Sequence, residues 1–255
     1  MTGPLTVKIG GAVGGHEAAL RRLAAEADAS AVLVHGGGHE IGDWSRRLGL
    51  EPVFDDGRRV TDAPTLDVAV AVLAGLANTR LVAQLGAWGR PAIGLTGADG
   101  GLASVAPADP RWGAVGEVEA ARAEVFEALI EAGLTPLVAP IAALPDGSLV
   151  NVNADEMAGA IAVARGGRLL LLTDVSGVQR DGATLPSLTE EEARAMLGDG
   201  SAGAGMRPKL RAALTAARAG CEVAIVDGRD ADAVSTALRG EPAGTRILAA
   251  TGAAR

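Results

Sequence analysis

The chain has 255 residues, of which 48% are hydrophobic and 2% aromatic, and its formal net charge at pH 7 is −8. This length suffices for one large α/β domain or two closely packed lobes, whereas the negative charge argues against nucleic acid and anionic membranes as partners, because both require clustered Lys and Arg. A single cysteine, Cys221, excludes an intrachain disulfide and argues against a cysteine-based metal site.

Short apolar runs alternate along the chain with segments of helical periodicity. The predicted strands are Leu5–Ile9, Ala31–His35, Ala92–Thr96, Thr135–Ala139, Leu169–Thr173 and Glu222–Val226. The predicted helices are His16–Asp28, His39–Leu48, Ala63–Gly75, Arg122–Ala132, Ala154–Ala164, Glu190–Leu197, Pro208–Ala219 and Ala231–Leu238. Runs such as LLLL in the fifth strand are typical of strands buried on both faces, which favours a mostly parallel sheet covered by helices.

Two polar segments predict β-hairpins around Asp-Gly turns, namely PVFDDGRRV (residues 52–60) and ALPDGSLV (residues 143–150). A soft boundary lies near Arg165-Gly166-Gly167, where a predicted helix ends at glycine and a new strand begins. The chain is therefore predicted to divide into residues 1–165 and residues 166–255.

No apolar run in the sequence approaches the ~18 residues of a membrane span. The N-terminal sequence MTGPLTVKIGG lacks the charged and apolar regions of a signal peptide. These features predict a soluble, cytoplasmic protein without a membrane partner.

Three predicted strands end in loops suited to meeting an anion, in the sequences VKIGG, LVHGGGHEI and LLTDVSGV. Ligands bind beyond the carboxyl ends of strands in open parallel sheets, and glycine lets backbone N–H groups at a helix N-terminus approach an anion closely. A Walker motif is absent, and the first loop lacks the G-x-G-x-x-G spacing of dinucleotide-binding proteins.

With VKIGG, LVHGGGHEI, DGRRVTD, NVNADEMA, LLTDVSGV and GMRPKL in this order, the sequence resembles the amino-acid kinase family. The resemblance covers Leu5 to about Leu248 and implies an α/β fold, an open αβα sandwich with a mostly parallel central sheet. It implies that residues 1–165 bind an acyl amino acid and carry a dimer contact, while residues 166–255 bind ATP. Within the family, the motifs resemble those of members that phosphorylate the side-chain carboxylate of N-acetyl-L-glutamate, the second step of arginine biosynthesis.

The resemblance also implies roles for individual residues. Lys8 and Lys209 would stabilise charge on the transferred phosphoryl group, and Asp155 would hold both lysines in place. Backbone N–H groups would bind the γ-phosphate and the substrate at Gly10, Gly11, Gly37 and Gly38. The substrate would also be bound by Arg59, at its α-carboxylate, and by Asn151 and Asn153. The nucleotide pocket would be lined by Asp174, Val175, Ser176, Gly177, Val178, Gln179, Ser201, Ala202 and Gly203.

The chemistry of phosphoryl transfer to a carboxylate agrees with these roles. A carboxylate with a pKa near ~4 is already ionised at pH 7 and needs no general base, but two anions must meet, so cations are expected around the transferred group. Lys8 is the only lysine before Lys209 in a chain rich in arginine, which indicates selection for compact point charges. Lys209 follows Pro208, a residue suited to the first position of a helix.

Mg²⁺ would arrive with ATP, bound mostly by phosphates and water. His16, His35 and His39 are too scattered in the sequence to predict a metal site. Some of the site residues have structural alternatives: Arg59 as a solvated hairpin charge, and Asn153 and Asp155 as a helix cap and a first-turn acid. His39 stands where relatives often have proline or a small residue, which could alter the mobility of the glycine-rich loop.

The sequence starts almost directly at its first predicted strand, whereas relatives that form arginine-inhibited hexamers carry an added N-terminal helix. We therefore expect a homodimer without arginine feedback. The sequence leaves a PII-type regulator undecided. Two alternative functions stay open: a kinase for carrier-bound or N-acetylated aminoadipate in lysine biosynthesis, and a non-catalytic nucleotide-binding regulator. The lack of a C-terminal extension argues against aspartate kinase and glutamate 5-kinase.

Overall fold

The computed structural model describes residues 3–11, 13–55 and 57–249. Its strands, numbered in chain order, are β1 (Leu5–Ile9), β2 (Val32–His35), β3 (Phe54–Asp55), β4 (Arg58–Arg59), β5 (Ala92–Thr96), β6 (Ala103–Pro107), β7 (Val115–Ala121), β8 (Thr135–Ala139), β9 (Ile141–Ala143), β10 (Leu149–Val152), β11 (Arg168–Thr173), β12 (Gln179–Arg180), β13 (Ala183–Thr184), β14 (Ser187–Thr189), β15 (Glu222–Asp227) and β16 (Thr245–Leu248).

The helices are α1 (Glu17–Glu26), α2 (Gly38–Arg47), α3 (Ala63–Val70), α4 (Asn78–Ala87), α5 (Ala123–Glu131), α6 (Ala154–Arg165), α7 (Glu190–Gly198), α8 (Arg207–Arg218) and α9 (Ala231–Leu238). A π-helical segment, Ala71–Ala77, joins α3 to α4 without a break. Short 3₁₀ turns lie at Val13–Gly15, Asp99–Gly101 and Pro110–Trp112.

The core of the molecule is a central sheet with helices on both faces. Eight of the described strands form it in the order β14, β16, β15, β11, β1, β2, β8, β5. Neighbouring strands are parallel except β15 and β16, which are antiparallel. Side chains of α1, α4 and α9 pack on one face, and those of α5 to α8 pack on the other. The predicted open αβα sandwich with a mostly parallel sheet is confirmed.

Both predicted halves of the chain contribute four strands to this sheet. The helix α6 ends at Arg165, Gly166 follows with φ at 71°, and β11 begins at Arg168. The local break is therefore where the sequence indicates it, whereas a division of the chain into two lobes stays a prediction.

The first strand directs its lysine towards α6 and α8. The apolar side chains of β1 lie in the core cluster shared with α1 and α9, so Lys8 points to the opposite face of the sheet. Lys8 is in register with Leu171 of β11 and Val34 of β2. Both of these belong to the core on the side of α6 and α8.

Both predicted hairpins are confirmed, since β3 pairs with β4 and β9 pairs with β10 in antiparallel fashion. A second sheet has the order β6, β7, β10, β9, with β10 parallel to β7. The strands β6 and β7 were not predicted. The β7 sequence VGEVEAA is rich in helix-forming residues, and its strand conformation comes from pairing with β6 and β10, which local propensity does not encode.

The predicted helix Ala63–Gly75 is too short, because α3 passes through the π-helical segment into α4 and the helical chain continues to Ala87. A π-turn shifts the apolar pattern out of its 3.6-residue period. Glycine is also common just after the end of a helix, so the sequence predicts a helix end at Gly75.

The same stretch bears on the membrane prediction. Among the described residues, only Ala63–Ala87 is long and apolar enough to cross a membrane, with a mean hydropathy of 1.6 over an 18-residue window. Asp67, Asn78 and Arg80 interrupt its apolar residues, so the sequence shows no unbroken run. Core helices pass the same test of length and composition, and this one packs Leu85 into the core beneath the sheet.

Arg90 joins the end of α1 to the sheet. Its guanidinium donates to the backbone carbonyls of Ala27 (2.8 Å) and Asp28 (2.7 Å) and to Thr135 Oγ1 (3.0 Å). The last carbonyls of a helix have no partner within the helix. This buried side chain therefore satisfies acceptors at and just beyond the end of α1, including the Ala24 carbonyl at 3.3 Å.

Arg90→Lys is expected to lower the free energy of unfolding by about 2–3 kcal/mol, because one ammonium cannot reach all three acceptors and the rest stay buried without a donor. Urea unfolding measures the change. Arg22→Lys is the control, since Arg22 is exposed and bonds, among the described residues, to Glu26 alone; it should cost less than ~0.5 kcal/mol. Equal losses in both variants would contradict this account.

Candidate active site

Two lysines from opposite ends of the chain meet at one carboxylate. Lys8 on β1 places its Nζ 2.9 Å from Asp155 Oδ1, and Lys209 in the first turn of α8 places its Nζ 3.5 Å from Asp155 Oδ2. Lys209 Nζ also donates to the Gly205 carbonyl at 3.1 Å. Only 5% of Lys8 and 5% of Asp155 is exposed. The structure thus brings together the three residues predicted to be catalytic.

The N-terminus of α6 positions Asp155. The Asn153 side chain caps this helix by accepting from the backbone N–H groups of Asp155 (2.8 Å) and Glu156 (3.2 Å). Gly159 of α6 faces Ala212 of α8, where an added Cβ would lie 3.4 Å from Ala212 Cβ, so the two helices pack side by side at this point. The helix α8 begins at Arg207, so Pro208 is its second residue, which corrects the predicted first position.

The three charges do not cancel. Burial opposes ionisation of Asp155, but attraction to Lys8 and to Lys209 outweighs it and holds the Asp155 pKa below its ordinary range. Burial, and then repulsion by Lys8, lower the pKa of Lys209 although Asp155 attracts it. Two ammonium groups around one carboxylate leave a surplus of one positive charge. Such a centre is suited to an anion.

The depressed pKa of Lys209 can be observed directly, because the chain contains only two lysines. With ¹⁵N-labelled lysine, NMR should show the Lys209 ammonium titrating below the ordinary value of 10.5. The folded state binds this proton more weakly than the unfolded chain does. Protonated Lys209 therefore destabilises the fold at pH values below its folded pKa, and the destabilisation fades as pH rises towards 10.5. Titration at or above 10.5 would contradict the burial and repulsion described here.

Three glycines surround an open group of backbone amides beside this centre. A Cβ on Gly11 would lie 3.5 Å from the Gly37 nitrogen and 3.6 Å from the Gly38 nitrogen. Gly37 is the N-cap of α2 and has no side chain to cap the first amides of the helix. These N–H groups and the helix dipole form a site for a phosphate or carboxylate.

The prediction for Gly10 needs correction. Its N–H donates to the Leu172 carbonyl at 3.0 Å and is therefore not available to a phosphate. A Cβ at this position would lie 2.8 Å from the same carbonyl oxygen. Gly10 thus allows the loop to pass close to β11, and the free amides belong to the other glycines.

Arg59 lines a cavity of about 220 Å³ next to the lysines, together with Lys8, Gly11, Gly37, Gly38, Asn151, Asn153 and Asp155. The guanidinium donates through Nη2 to the Gly38 carbonyl (2.8 Å) and stacks on Phe54 at 4.6 Å. Its Nη1 is buried without a hydrogen-bond partner among the described residues, although the arginine is only 7% exposed. An unpaired buried donor in a cavity is a strong feature of an anion site.

The neighbouring Arg58 is neutralised instead. It pairs with Glu156 at 2.9 Å and Glu117 at 3.7 Å, and it stacks on Trp112. The free charge at the hairpin is therefore that of Arg59, and the alternative of a solvated hairpin charge does not describe it. Substrate binding by Arg59 stays a prediction.

The two predicted asparagines differ in their contacts. Asn151 faces the cavity from β10, with Nδ2 at 3.4 Å from Thr61 Oγ1. Asn153 also lines the cavity, but its side-chain oxygen is engaged as the cap of α6. The structure therefore realises the predicted structural alternative for Asn153, and substrate binding by either asparagine stays a prediction.

A second cavity, of about 450 Å³, lies on the far side of Lys209. Eight of the nine residues predicted for the nucleotide pocket line it: Asp174, Val175, Gly177, Val178, Gln179, Ser201, Ala202 and Gly203. The ninth, Ser176, does not line this cavity; its hydroxyl is hydrogen-bonded to Thr184 Oγ1 on β13. The sequence did not predict five further lining residues: Thr173, Met196, Ala204, Gly205 and Met206. Gly205 and Met206 belong to the motif GMRPKL, which is the signal that could have identified them.

An open cleft of about 670 Å³ lies between the two cavities and is lined by both lysines. Thr173 and Asp174 reach it from β11 and the loop that follows, and Arg59 reaches it from β4. His39 also lines it, beside the glycine-rich loop. The two lysines thus stand where ligands in the two cavities would meet.

Within the described ranges, no group of three or more His, Cys, Asp or Glu is arranged to hold a metal ion. A site of two lysines and one carboxylate suits phosphate oxygens rather than a bare divalent cation.

Comparison with known proteins gives likenesses of three kinds: to a family model, to protein sequences and to a solved structure. The model of the family described as "Amino acid kinase family" matches residues 5–227. The acetylglutamate kinases of Methanopyrus kandleri (45% identity over 232 residues, 86% of this chain and 93% of the relative) and Rubrobacter xylanophilus (43% over 248 residues, 95% and 96%) are similar in sequence. The solved structure of smu.665 from Streptococcus mutans UA159 has a TM-score of 0.83 at 26% identity, covering 97% of this chain and 99% of that one.

Proposed function

The chain belongs to the amino acid kinase family, and we propose that it uses ATP to phosphorylate the side-chain carboxylate of N-acetyl-L-glutamate, the second step of arginine biosynthesis. The observation that carries the proposal is the pair of lysines around Asp155, one buried and one half-buried, located between two cavities. The relatives named acetylglutamate kinase supply the identity of the acceptor.

Arg59 binds the α-carboxylate of the acceptor through its unpaired Nη1 in the smaller cavity. This leaves the side-chain carboxylate directed towards Lys8 and the amides of Gly11 and Gly37. Bound ATP supplies the γ-phosphoryl group, with Mg²⁺ carried on its phosphates. The transfer forms a bond from a carboxylate oxygen to phosphorus and breaks the bond from phosphorus to the ADP oxygen, and no proton moves. The site accordingly needs cations and fixed amides, but no general base.

The locations of the cavities support the predicted division of labour. Every residue that lines the smaller cavity belongs to residues 1–165, and every residue that lines the 450 Å³ cavity belongs to residues 166–255. The first part binds the acyl amino acid and the second binds ATP. Lys209 crosses this division to reach Asp155.

Turnover with three acceptors tests the proposed function. ADP release should be fast with N-acetyl-L-glutamate and much slower with L-glutamate and N-acetyl-L-aminoadipate. One extra methylene in a shaped cavity typically changes kcat/KM by about 10–200-fold. Equal rates on all three acceptors, or none, would overturn the proposal. A higher kcat/KM for the aminoadipate derivative would favour the lysine-biosynthesis alternative, and nucleotide binding without turnover would favour the regulator.

Arg59→Lys should raise the KM for N-acetyl-L-glutamate by about 10–100-fold with a smaller change in kcat, because a lysine cannot keep the bond to Gly38 and also present a second N–H to the carboxylate. Steady-state kinetics at saturating ATP measure the effect. Arg47→Lys is the control, since Arg47 lies on the outside of α2 and stacks on Trp44. If KM stays unchanged in Arg59→Lys, the α-carboxylate binds elsewhere.

The protein acts as a homodimer in this proposal. The outer side of the Ala63–Ala87 helix leaves Leu66, Val70 and Leu76 only partly covered, and β5 is the edge strand of the central sheet next to it. A partly exposed apolar helix beside a sheet edge is suited to a subunit interface. Light scattering should give twice the chain mass of 25.4 kDa, and a monomeric mass would contradict it. A PII-type regulator and the cytoplasmic location stay predictions.

A further inference from the structure

A chain of buried hydrogen bonds runs from α4 to the glycine-rich loop without entering either cavity. Asn78 Nδ2 lies 3.2 Å from His35 Nε2 and 3.0 Å from the Leu137 carbonyl. His35 Nδ1 lies 3.0 Å from the Gly36 carbonyl. His35 is 1% exposed and Asn78 is 4% exposed. Neither residue touches the cavities, so the functions described above do not explain them.

The partners fix the form of the imidazole. A carbonyl can only accept, so His35 Nδ1 must carry the proton that it donates to the Gly36 oxygen. The Leu137 carbonyl can also only accept, so the Asn78 side-chain atom beside it must be the NH₂ nitrogen. The second N–H of this NH₂ group points at His35 Nε2, which must therefore accept. The ring is therefore neutral with its proton on Nδ1. Burial lowers the His35 pKa, which agrees with a neutral ring.

These hydrogen bonds hold one peptide plane of the phosphate-binding loop. The Gly36 N–H donates to the Ile9 carbonyl of β1 at 2.9 Å, and the Gly36 carbonyl accepts from His35. Since a trans peptide is planar, with C=O and N–H on opposite sides, the bond to the Gly36 carbonyl also sets the direction of the Gly37 N–H. Gly37 is the residue whose nitrogen faces Gly11 beside the lysines.

The irregular helix sets the depth of Asn78. Asn78 is the first residue of α4, immediately after the π-helical segment. A Cβ on Gly94 would lie 1.8 Å from Asn78 Oδ1, so β5 has a glycine where the amide passes. Leu73, within the π-helical segment, occupies the space beside Gly37, where a Cβ would lie 2.6 Å from its Cδ2. The same segment thus supports the loop at two points.

We propose that His35 and Asn78 are positioning residues, which hold the Gly36–Gly37 peptide so that the Gly37 N–H faces the phosphoryl group in transit. The inference rests on the proposed kinase activity and adds a specific source of order to its oxyanion site. A fixed amide stabilises developing charge without reorganising during the reaction. Loss of the chain of bonds should therefore affect kcat more than the binding of either substrate.

The kinetic test compares three variants. His35→Phe keeps a ring but no donor, and Asn78→Leu keeps the volume of the amide but no hydrogen bonds. Each should lower kcat by about 10–100-fold, with both KM values within about twofold. His35→Asn keeps a donor at the position of Nδ1 and should recover most of the loss. Leu33→Ala, in the core on the same strand, is the control for destabilisation and should leave kcat unchanged.

A spectroscopic test needs no turnover. The chain has three histidines, and long-range ¹H–¹⁵N NMR of ¹⁵N-histidine protein should show His35 as the neutral Nδ1–H form near pH 7. Protonation on Nε2, or an imidazolium, would overturn the inference, as would an unchanged kcat in His35→Phe and Asn78→Leu. Absence of turnover in the wild-type protein would instead reject the proposed function. The NMR measurement does not depend on turnover, so the two failures can be told apart.

Discussion

Replacing either lysine with alanine is expected to lower kcat by about 10²–10³-fold, with a smaller change in KM. The two ammonium groups oppose the negative charge that gathers as the anionic carboxylate meets the phosphoryl group, and they do so more strongly in the transition state than with bound substrates. Both side chains are shielded from water, so their charges act at low dielectric. Steady-state kinetics with both substrates saturating measure the loss in Lys8→Ala and Lys209→Ala.

Arg211→Ala is the matched control for these variants. Arg211 lies two residues beyond Lys209 on the same helix, on its exposed side. Its removal takes away one cation at long range and should change kcat by less than about twofold, because exposed charges are screened. A kcat unchanged in Lys8→Ala or in Lys209→Ala would remove that lysine from the mechanism.

Asp155→Asn is expected to be the most damaging single change to both activity and stability. It leaves the buried Lys8 and the half-buried Lys209 without their shared counter-charge, and the loss of one partner of a buried ion pair typically costs about 3–5 kcal/mol in the free energy of unfolding. It also releases the lysines from their positions, so kcat should fall by at least about 10²-fold. Urea unfolding and kinetics measure the two effects.

The same variant has a titration signature. Attraction to Asp155 opposes the lowering of the Lys209 pKa, so its loss should lower that pKa further, as ¹⁵N-lysine NMR would show. Asp155 itself has a depressed pKa, and its stabilising contribution to the wild-type fold is present above the unfolded pKa and lost as pH falls through the folded one. Glu156→Gln, which changes the next residue of α6 and leaves Asp155 in place, is the control variant for this titration. A Lys209 pKa that rises or stays the same in Asp155→Asn would contradict the arrangement.

The sequence predicts most of the central sheet because its strands are short apolar runs bounded by loops. Leu5–Ile9, Ala92–Thr96 and Thr135–Ala139 have the predicted limits. Strands whose conformation depends on pairing with other strands were not predicted. One example is β7, where the exposed Glu117 and Glu119 alternate with less polar residues and the strand pairs with a neighbour on each side. Local pattern does not encode such pairing.

The site shows the same division between local and tertiary information. The motifs identify Lys8, Asp155 and Lys209, since each lies in a distinctive short sequence. Which amides are free does not follow from a motif, because the Gly10 N–H is engaged by a carbonyl of β11. The bond between His35 and Asn78 spans 43 positions in the chain, and only the packing of the irregular helix against the sheet brings these residues together.

Trapping of the reaction product tests the central claim most directly. An acyl phosphate formed on the acceptor's side-chain carboxylate reacts with hydroxylamine to give a hydroxamate and phosphate. Wild-type protein with ATP, Mg²⁺, N-acetyl-L-glutamate and hydroxylamine should give the N-acetylglutamyl hydroxamate in amounts equal to ADP, and Lys209→Ala should give almost none. Release of ADP without hydroxamate, or equal hydroxamate from the wild type and the variant, would contradict transfer to a carboxylate between the two lysines.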